Sequence, residues 1–247
     1  MGIINKDKVT AVVPCRKGSQ RVINKNTRTF AGFSFGLLEL KLKQLAASKQ
    51  IDEILVTTND PVVIDIVEQL KPTLSKSVII DQRPDEYSSD DSLQFLIAYL
   101  GNTVETDVLV WTHVTSPLFG TSLYDKAIID YQQAKIKKTA DSLIAVDVVQ
   151  TFAMRSGNWI SHDYHKKRWP RTQDLEKIYL VNSALFIIDH ALLVNLQDRV
   201  GNNPLLFETP NLLGFDIDWE DDFSLAEILY NTFTSRIPSA TNSLLAG

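Results

Sequence analysis

The sequence predicts a three-layer α/β/α fold around a mostly parallel sheet, and two observations support this prediction. Short apolar runs rich in β-branched residues alternate along the chain with longer amphipathic segments, which is the pattern of βαβ units. Polar loops also follow the first and fourth apolar runs, and ligands in open α/β sheets bind outside the carboxyl ends of the strands. We therefore expect one binding crevice at that edge of the sheet.

The first half of the chain predicts four strands and three helices in alternation. Leu38, Leu42 and Leu45 recur at helical spacing, and Pro61 stands at the first position of the next helix, where its missing N–H costs nothing. A third helical face, from Leu93 to Leu100, follows a segment rich in Ser and Asp. The predicted strands are 9–13, 54–58, 78–80 and 108–111, and the first two helices are 33–48 and 61–70.

The second half of the chain is less regular. Between residues 150 and 177, aromatic and basic residues occur without a clear period, so we interpret 150–177 as a small subdomain inserted into a single domain covering 1–247. The other predicted elements of this half are a helix over 122–134, strands over 143–149, 179–188 and 213–219, and a final helix that carries Leu225, Ile228, Leu229 and Phe233.

The composition excludes several classes of protein. Of the 247 residues, 44% are hydrophobic and 22% are charged, which is typical of a globular domain and not of a disordered chain. The net charge of −5 makes a nucleic acid an unfavourable partner. The single cysteine, Cys15, excludes an internal disulfide, and no run of about 18 apolar residues suggests a membrane span. We expect a cytoplasmic protein without a nucleic-acid or membrane partner.

A cationic loop follows the first predicted strand. Arg16, Lys17, Arg21 and Lys25 occur within ten positions, together with Gly18-Ser19, which lets the backbone approach a ligand closely. The alternative interpretation is a solvated basic turn. Because polar residues on loops carried by a rigid scaffold are often functional, we favour an anion site that suits a triphosphate.

An acidic pair follows the last predicted strand. Asp216 and Asp218 alternate with apolar residues, so strand geometry would direct both carboxylates to the same side of the chain. Two neighbouring carboxylates suit Mg²⁺, which proteins bind through one or two carboxylates together with substrate phosphates. The alternative is that the acidic run 216–222 caps the following helix, as we expect for 220–222. The loop and the pair together predict a site for a metal-bound nucleoside triphosphate.

Further motifs occur in an order that resembles a known family. The matching segments are 12–26, Phe30-Ala31-Gly32, Arg83-Pro84, Ser89-Asp90, Thr115-Ser116-Pro117-Leu118, Arg171-Thr172-Gln173-Asp174, Asn182 and Phe215-Asp216-Ile217-Asp218. Over nearly its whole length the chain resembles the acylneuraminate cytidylyltransferase family, which comprises the CMP-sialic acid synthetases and their relatives.

The resemblance implies a Rossmann-like nucleotidyltransferase fold and a reaction. In that reaction the anomeric hydroxyl of a keto sugar acid attacks the α-phosphorus of CTP, giving a CMP-sugar and pyrophosphate. It also implies that one of the two aspartates helps to remove the hydroxyl proton. The implied nucleotide-binding residues are Arg16, Ser19, Lys25, Asn26, Arg83 and Ser89. The implied catalytic residues are Arg16, Lys25, Asp216 and Asp218, of which both aspartates would bind Mg²⁺.

On the sugar side, the resemblance implies that the loop after the fourth strand binds the acceptor together with the inserted segment. That segment commonly comes from the second subunit of a homodimer. The implied sugar-binding residues are His113, Thr115, Ser116, Arg171, Gln173 and Asn182. For Arg171, a bidentate contact with the sugar carboxylate and an ion pair with Asp174 or Glu176 remain equal alternatives. For His113, the alternatives are a contact with the acceptor hydroxyl and a neutral ring that is hydrogen-bonded within its own loop.

The chain departs from the family pattern on the sugar side. His113-Val114 stands where a Gln-Pro pair is usual, and Phe119 replaces an expected Arg. An Arg-Pro-Asn-Gly pattern becomes Leu180-Val181-Asn182-Ser183, so two expected cations are absent. A sugar acid other than sialic acid therefore stays open.

We take a Mg²⁺-dependent cytidylyltransferase as the leading hypothesis. A UDP-sugar-dependent glycosyltransferase is an alternative, because an Asp-x-Asp metal site also serves that reaction. A non-catalytic CTP-binding relative is the third hypothesis, and the altered sugar-side residues are the reason for retaining it.

Overall fold

A computed structural model describes residues 7–18, 21–88 and 93–236, without the side chains of Asn211 and Arg236. Ser19, Ser89 and Asp90 of the predicted motifs lie outside these residues. The strands in the described ranges are β1 (Val9–Cys15), β2 (Glu53–Thr58), β3 (Ser77–Gln82), β4 (Val108–Thr112), β5 (Ser142–Val149), β6 (Met154–Arg155), β7 (Asn158–Trp159), β8 (Ile178–Asp189) and β9 (Pro204–Glu208). The α-helices are α1 (Gly36–Ala46), α2 (Pro61–Leu70), α3 (Leu93–Thr103), α4 (Thr121–Lys137), α5 (His190–Leu196) and α6 (Glu220–Arg236).

Seven strands form one sheet in the order β3-β2-β1-β4-β8-β5-β9. Strand β1 is parallel to both β2 and β4, and β2 is parallel to β3. Strand β8 runs antiparallel to β4 and β5, while β9 is parallel to β5. The predicted mostly parallel sheet is therefore confirmed. Since the chain winds outward from β1 to β3 and returns to β4 on the other side, the strand order switches at β1 and β4, where ligands bind in sheets of this kind.

Apolar side chains cover both faces of the sheet. One face packs against helices α1, α2, α4 and α6, and the other face packs against α3 and α5. The core of the second face includes Trp111 of β4 and Phe186 of β8, which lie opposite each other on adjacent strands. The three predicted layers follow from this two-sided burial.

The predicted strand over 213–219 is wrong. Asn211–Gly214 forms a short 3₁₀ helix, and residues 215–219 have no regular structure. The reason lies in the hydrogen bonds, because the N–H groups of Asp218 and Trp219 donate to the Asp222 carboxylate and cap α6. The expected capping role of the acidic run thus falls to Asp222.

One strand and one α-helix outside residues 150–177 were not predicted from the sequence. Strand β9 begins with a proline, which is tolerated because β9 is an edge strand paired only with β5 in the described sheet. Helix α5 is a single short element directly after β8. Helix α1 also begins later than predicted, at Gly36, because Phe30 and Phe33 first form a tight backbone bridge.

Residues 150–177 project from the end of the β5–β8 pair. The pairing of these strands extends to Val149 opposite Ile178, so the segment leaves and re-enters the sheet at one point. Strands β6 and β7 form a separate two-stranded sheet within it. Its aromatic side chains contact one another in a cluster comprising Phe152, Trp159, His162, Tyr164 and Trp169. The role of this segment in dimerisation stays a prediction.

A buried lysine joins α1 to the loop after β4. The Nζ atom of Lys41 donates to the carbonyl oxygens of Ser116 and Phe119, at 2.9 and 3.3 Å, and to the Tyr124 hydroxyl at 2.7 Å. Lys41 is fully buried. Burial lowers the pKa of Lys41 to about 7, and the charge of Asp216 opposes this shift. Lys41 therefore fixes the backbone of the loop that begins at His113.

No described helix is both long and apolar enough to span a membrane.

Replacing Gly36 by alanine should destabilise the fold strongly. Gly36 has φ of +63°, and a Cβ atom there would lie 2.0 Å from the carbonyl oxygen of Arg28. We expect Gly36→Ala to lower the free energy of unfolding by at least about 3 kcal/mol. Gly32 is the matched control, because its φ is +88° but no heavy atom lies within 4 Å of a Cβ placed there. Gly32→Ala should cost only about 1–2 kcal/mol in urea unfolding, and equal costs would contradict the steric argument.

Replacing Lys41 by methionine should have a pH-dependent effect on stability. The substitution leaves the carbonyl oxygen of Phe119 without a donor, which costs about 1–3 kcal/mol. It also removes one of the two donors to the carbonyl oxygen of Ser116, which still accepts from the N–H of Phe119. Because the pKa of Lys41 falls from 10.5 to about 7 on folding, the unfolded chain binds more protons between these values. The contribution of Lys41 to stability thus increases as the pH rises above 7. Lys41→Met should therefore destabilise more at about pH 9 than at about pH 6.5.

Urea unfolding at the two pH values measures this difference. Lys43→Met on the same helix is the control, because Lys43 forms a partly exposed ion pair with Glu39. We expect Lys43→Met to cost at most about 1 kcal/mol. A loss of stability for Lys41→Met that is the same at both pH values would contradict the lowered pKa of Lys41 in the folded protein.

Candidate active site

The cationic loop begins where β1 ends and is anchored at several points. The N–H of Lys17 donates to the Asn59 side chain at 2.9 Å, and Val22 is buried beneath the loop. The carbonyl oxygen of Asn26 accepts from the N–H of Leu38 at 2.9 Å, which ties the loop to α1. The loop is therefore held over the carboxyl end of β1, as predicted.

Cys15, the last residue of β1, is buried under this loop. Burial raises the pKa of the Cys15 thiol to about 12, although the charge of Arg83 opposes the shift. A thiol with this pKa is not a nucleophile at neutral pH. Cys15 is therefore a packing residue.

Lys25 connects the cationic loop to the acidic pair. Its Nζ atom donates to the carbonyl oxygen of Ile217 at 2.7 Å, and Ile217 lies between Asp216 and Asp218. Burial lowers the pKa of Lys25, whereas the charges of both aspartates raise it and those of Arg21 and Arg16 lower it. The cations and the carboxylates therefore act on one another within a single site.

The two aspartates differ in environment. The Oδ1 atom of Asp216 is buried without a hydrogen-bond partner. Burial raises the pKa of Asp216, the charge of Asp218 raises it further, and a hydrogen bond from Thr115 lowers it. Asp218 Oδ1 accepts from Arg21 at 2.7 Å, and about half of each side chain in this ion pair is exposed. The two carboxylates interact although the strand geometry predicted for them is absent.

The acidic pair fits a magnesium ion. Asp216 offers a buried oxygen without a partner, and the exposed ion pair between Asp218 and Arg21 is worth at most about 1 kcal/mol, so it is easily exchanged. Among residues 7–18, 21–88 and 93–236, no group of three or more His, Cys, Asp or Glu side chains could hold a metal. Two carboxylates therefore need oxygen ligands from elsewhere, and the phosphates of a nucleotide would supply them.

The loop after β4 contacts the acidic segment directly. The carbonyl oxygen of Thr115 accepts from the N–H of Ile217 at 2.9 Å. The hydroxyl of Ser116 is buried without a partner, while its carbonyl oxygen is bound by Lys41. Thr115 and Ser116 therefore lie beside the predicted metal ligands.

Arg83 follows β3 and offers a second unpaired group. Its side chain is buried, and Nε donates to the Ser88 hydroxyl at 2.9 Å. One terminal nitrogen of Arg83 is buried without a partner. The charge of Arg16 lowers the pKa of Arg83, after the larger effect of burial, so the two cations lie near each other. The predicted role of Arg83 in nucleotide binding stays a prediction.

His113 is neutral in this structure. Its Nε2 atom accepts from the indole N–H of Trp111 at 3.1 Å and contacts a nitrogen of Arg199 at 3.3 Å. Burial lowers the pKa of His113 to about 3, and the charges of Arg199, Lys41 and Lys25 add to the shift. Because Nε2 is an acceptor, the neutral ring carries its hydrogen on Nδ1.

Three predicted sugar-binding residues contact groups other than the acidic pair. Arg171 forms two hydrogen bonds of 2.9 Å with Asp174, and the pair is exposed. The carbonyl oxygen of Gln173 accepts from the Gln150 side chain at 3.1 Å. Within the part of the chain that the structure describes, neither Arg171 nor Gln173 contacts the acidic pair. A role for either in sugar binding stays a prediction.

Asn182, the third of these residues, is buried in β8. Its amide nitrogen donates to Asp147 and to Thr209, both at 3.0 Å, and its oxygen accepts from the N–H of Ala184 at 3.1 Å. Gly214 packs so closely on this group that a Cβ atom would lie 2.2 Å from the Asn182 nitrogen. Asn182 thus packs against the end of the 3₁₀ helix that precedes the acidic pair. Its contact with sugar stays a prediction.

Sequence reasoning missed Lys41 and Arg199. The position of Lys41 on the apolar face of α1, one helical step from Leu38 and Leu45, is a signal that could have identified it. Arg199 carries no local signal, because its contacts lie far away in the sequence.

Comparison with known proteins places the chain in a family. A family model described as cytidylyltransferase matches residues 10–166. A pseudaminic acid cytidylyltransferase from Campylobacter jejuni is 25% identical over 223 residues, which cover 89% of this chain and 94% of that relative.

Two solved structures share the fold. One is a CMP:2-keto-3-deoxy-manno-octonic acid synthetase complexed with CTP, with a TM-score of 0.63 and 15% identity over 92% of this chain and 99% of that one. The other is a 4-diphosphocytidyl-2C-methyl-D-erythritol synthase from Anaerococcus prevotii, with a TM-score of 0.62 and 11% identity over 92% and 98% of the two chains. At these identities the neighbours establish the α/β nucleotidyltransferase fold. Because the family model matches more than half of the chain, this protein belongs to the cytidylyltransferase family.

Proposed function

We propose that the protein transfers CMP from CTP to the anomeric hydroxyl of a nonulosonic acid of the pseudaminic acid type, with release of pyrophosphate and with Mg²⁺ as cofactor. Family membership supports nucleotidyl transfer from CTP. The Campylobacter relative, named for pseudaminic acid, aligns over nearly its full length and supports the class of acceptor.

One observation carries this proposal. The hydrogen bond from Lys25 to the carbonyl oxygen of Ile217 joins the cationic loop to the segment that bears Asp216 and Asp218. This contact supports a single site at the carboxyl ends of β1 and β4, in which the cations would bind a triphosphate and the carboxylates a divalent cation. A site that binds a metal-bound triphosphate needs both groups together.

The residues of the chain supply positioning and charge. Arg16, Lys25 and the unpaired nitrogen of Arg83 neutralise the triphosphate, and Asn26 fixes the loop that carries Lys25. Asp216 and Asp218 would hold Mg²⁺, which supplies further neutralisation of the charge that develops on the phosphates. Thr115 and Ser116 border the acceptor side of the same site. The family match favours this chemistry over UDP-sugar-dependent glycosyl transfer.

We propose further that the protein acts as a homodimer through the first half of β8 and the segment 150–177. Exposed apolar side chains support this proposal, including Leu180 at 51% and Val181 at 55% exposure on β8, and Trp169 at 65%. Exposed apolar residues on one projecting part of a fold are typical of interaction surfaces.

Replacing Asp218 by asparagine should abolish most of the activity. The substitution removes one negative charge from the pair that would hold Mg²⁺, so we expect pyrophosphate release to fall at least ~100-fold. The control is Asp221→Asn, an exposed carboxylate in the first turn of α6, which should retain wild-type activity. Thermal unfolding checks that both variants fold. Full activity in a folded Asp218→Asn protein would remove the metal assignment.

The dimer proposal predicts the effect of a charge on β8. Leu180→Lys should shift the protein from dimer to monomer in sedimentation equilibrium, because a lysine in an apolar contact loses its hydration. Ile136→Lys is the matched control, since Ile136 is 81% exposed on α4. A wild-type monomer, or two variants with the same mass, would contradict the proposal.

Pyrophosphate release tests the function itself. CTP and Mg²⁺ are incubated with pseudaminic acid and other keto sugar acids, with ATP, GTP and UTP as nucleotide controls and a chelator to remove the metal. Release only with CTP, Mg²⁺ and one sugar acid would support the proposal. CTP binding without release from any acid would favour a non-catalytic role, and tight UDP-sugar binding without CTP binding would favour glycosyl transfer.

A further inference from the structure

An arginine outside the family motifs lies beside the loop after β4. The guanidinium carbon of Arg199 lies 3.8 Å from the ring centroid of Phe186 and 5.1 Å from that of Trp111. A terminal nitrogen of Arg199 lies 3.3 Å from His113 Nε2. The planar group is thus stacked on an aromatic wall formed by β4 and β8, and one of its five N–H donors faces His113.

The charge of Arg199 has no close counter-ion in the described chain. Burial lowers the pKa of Arg199 to about 10 and the charge of Asp198 opposes this shift, so the guanidinium remains charged at neutral pH. No carboxylate of the described residues forms an ion pair with it. The Asp198 side chain accepts from the N–H of Val200, and His113 is neutral. Desolvating a cation without a partner is costly, so an anionic ligand would offset the cost.

The location of Arg199 assigns this anion to the acceptor side. His113 directly follows β4, and Thr115, two residues later, bonds to the segment of Asp216 and Asp218. The nucleotide side of the crevice is instead served by the loop after β1 and by Arg83. An anion at Arg199 would therefore lie next to His113 and the acceptor loop.

The two positions where the family resemblance expects sugar-side arginines do not provide cations. Phe119 is buried and packs its ring against Tyr124 and Phe207. Leu180 is apolar and exposed on β8. Lys41, although near the same loop, already donates to Ser116, Phe119 and Tyr124. Arg199 can supply the positive charge that these positions lack.

We propose that Arg199 binds the carboxylate of the sugar acid acceptor and that His113 orients the guanidinium for this contact. This inference rests on the proposed function, which requires an acid as acceptor. The guanidinium fork matches a carboxylate bidentately, and stacking on Phe186 fixes its plane. Arg199 then selects acids over neutral sugars, whereas the residues of the cationic loop act on the nucleotide.

The inference is tested by pairing two variants with two acceptors. Pyrophosphate release is measured for wild type, Arg199→Met and Arg199→Lys, with pseudaminic acid and with its methyl ester, which lacks the negative charge. Lys126→Met is the control. Lys126 is an exposed cation on α4, and its side chain lies over the ring of Phe207 on β9. Affinity for CTP is measured on each variant by calorimetry, which also reports whether the nucleotide site is folded.

For Arg199→Met we expect the KM for the acid to rise roughly 10- to 100-fold, with CTP affinity within about twofold of wild type. The KM for the methyl ester should stay the same, so the preference of wild type for the acid disappears. Arg199→Lys keeps the charge but loses the fork, and should raise the KM for the acid by a smaller factor. Lys126→Met should match wild type throughout.

Several outcomes would overturn the inference. An unchanged KM for the acid in Arg199→Met would do so, as would an equal loss of affinity for the acid, the ester and CTP, which indicates a structural role. If Arg199→Met does not fold, an unchanged KM for the acid in Arg199→Lys overturns it. Absence of release by wild type with any acid overturns the proposed function and the inference with it. Turnover by wild type with no effect of the Arg199 variants overturns the inference alone.

Discussion

Strands β1 and β4 lie side by side and parallel, and the positions of the candidate functional residues depend on this pairing. It brings the cationic loop after β1 and the loop after β4 to one edge of the sheet, although about 100 residues separate them in the chain. The acidic segment then joins both loops, through the bond from Lys25 to Ile217 and the bond from Ile217 to Thr115. Without parallel pairing these groups would lie at opposite edges.

The same edge contains buried polar atoms without partners. They include Asp216 Oδ1, a terminal nitrogen of Arg83 and the Ser116 hydroxyl, each of which follows a strand or precedes α6. A buried polar atom without a partner costs about 1–3 kcal/mol. The oxygen of Asp216 is an acceptor that suits a cation, and the nitrogen of Arg83 is a donor that suits a phosphate. The hydroxyl of Ser116 suits a sugar. The stability given up here would be regained when the ligands of the proposed reaction bind.

Local patterns in the sequence were enough to predict the sheet and the cationic loop. Helix α2 has the predicted bounds because Pro61 and the Asp60 cap define its start. The acidic pair was predicted for a strand and instead lies in an irregular segment, because the bonds to Asp222 and Thr115 outweigh the alternation of apolar residues. Lys41 was missed although its position on the apolar face of α1 is a local signal. Arg199 could not be predicted, since its partner is remote: His113 and Arg199 are 86 residues apart.

The distribution of the motifs over the fold explains why the two sides of the site differ. The nucleotide-side residues of the proposed site follow β1 and β3 or precede α6. In the proposed reaction they would meet the phosphates of CTP and the metal ion. The proposed acceptor side is built on β4, β8 and the chain after α5, so a cation on that side could be supplied by a different element without any change in the proposed phosphate contacts. This chain has Phe119 where the family resemblance expects an arginine, and it has Arg199 on a different part of the chain. The two residues together are consistent with such a change in the position of the cation. Acceptor specificity can therefore diverge while the chemistry at phosphorus is retained.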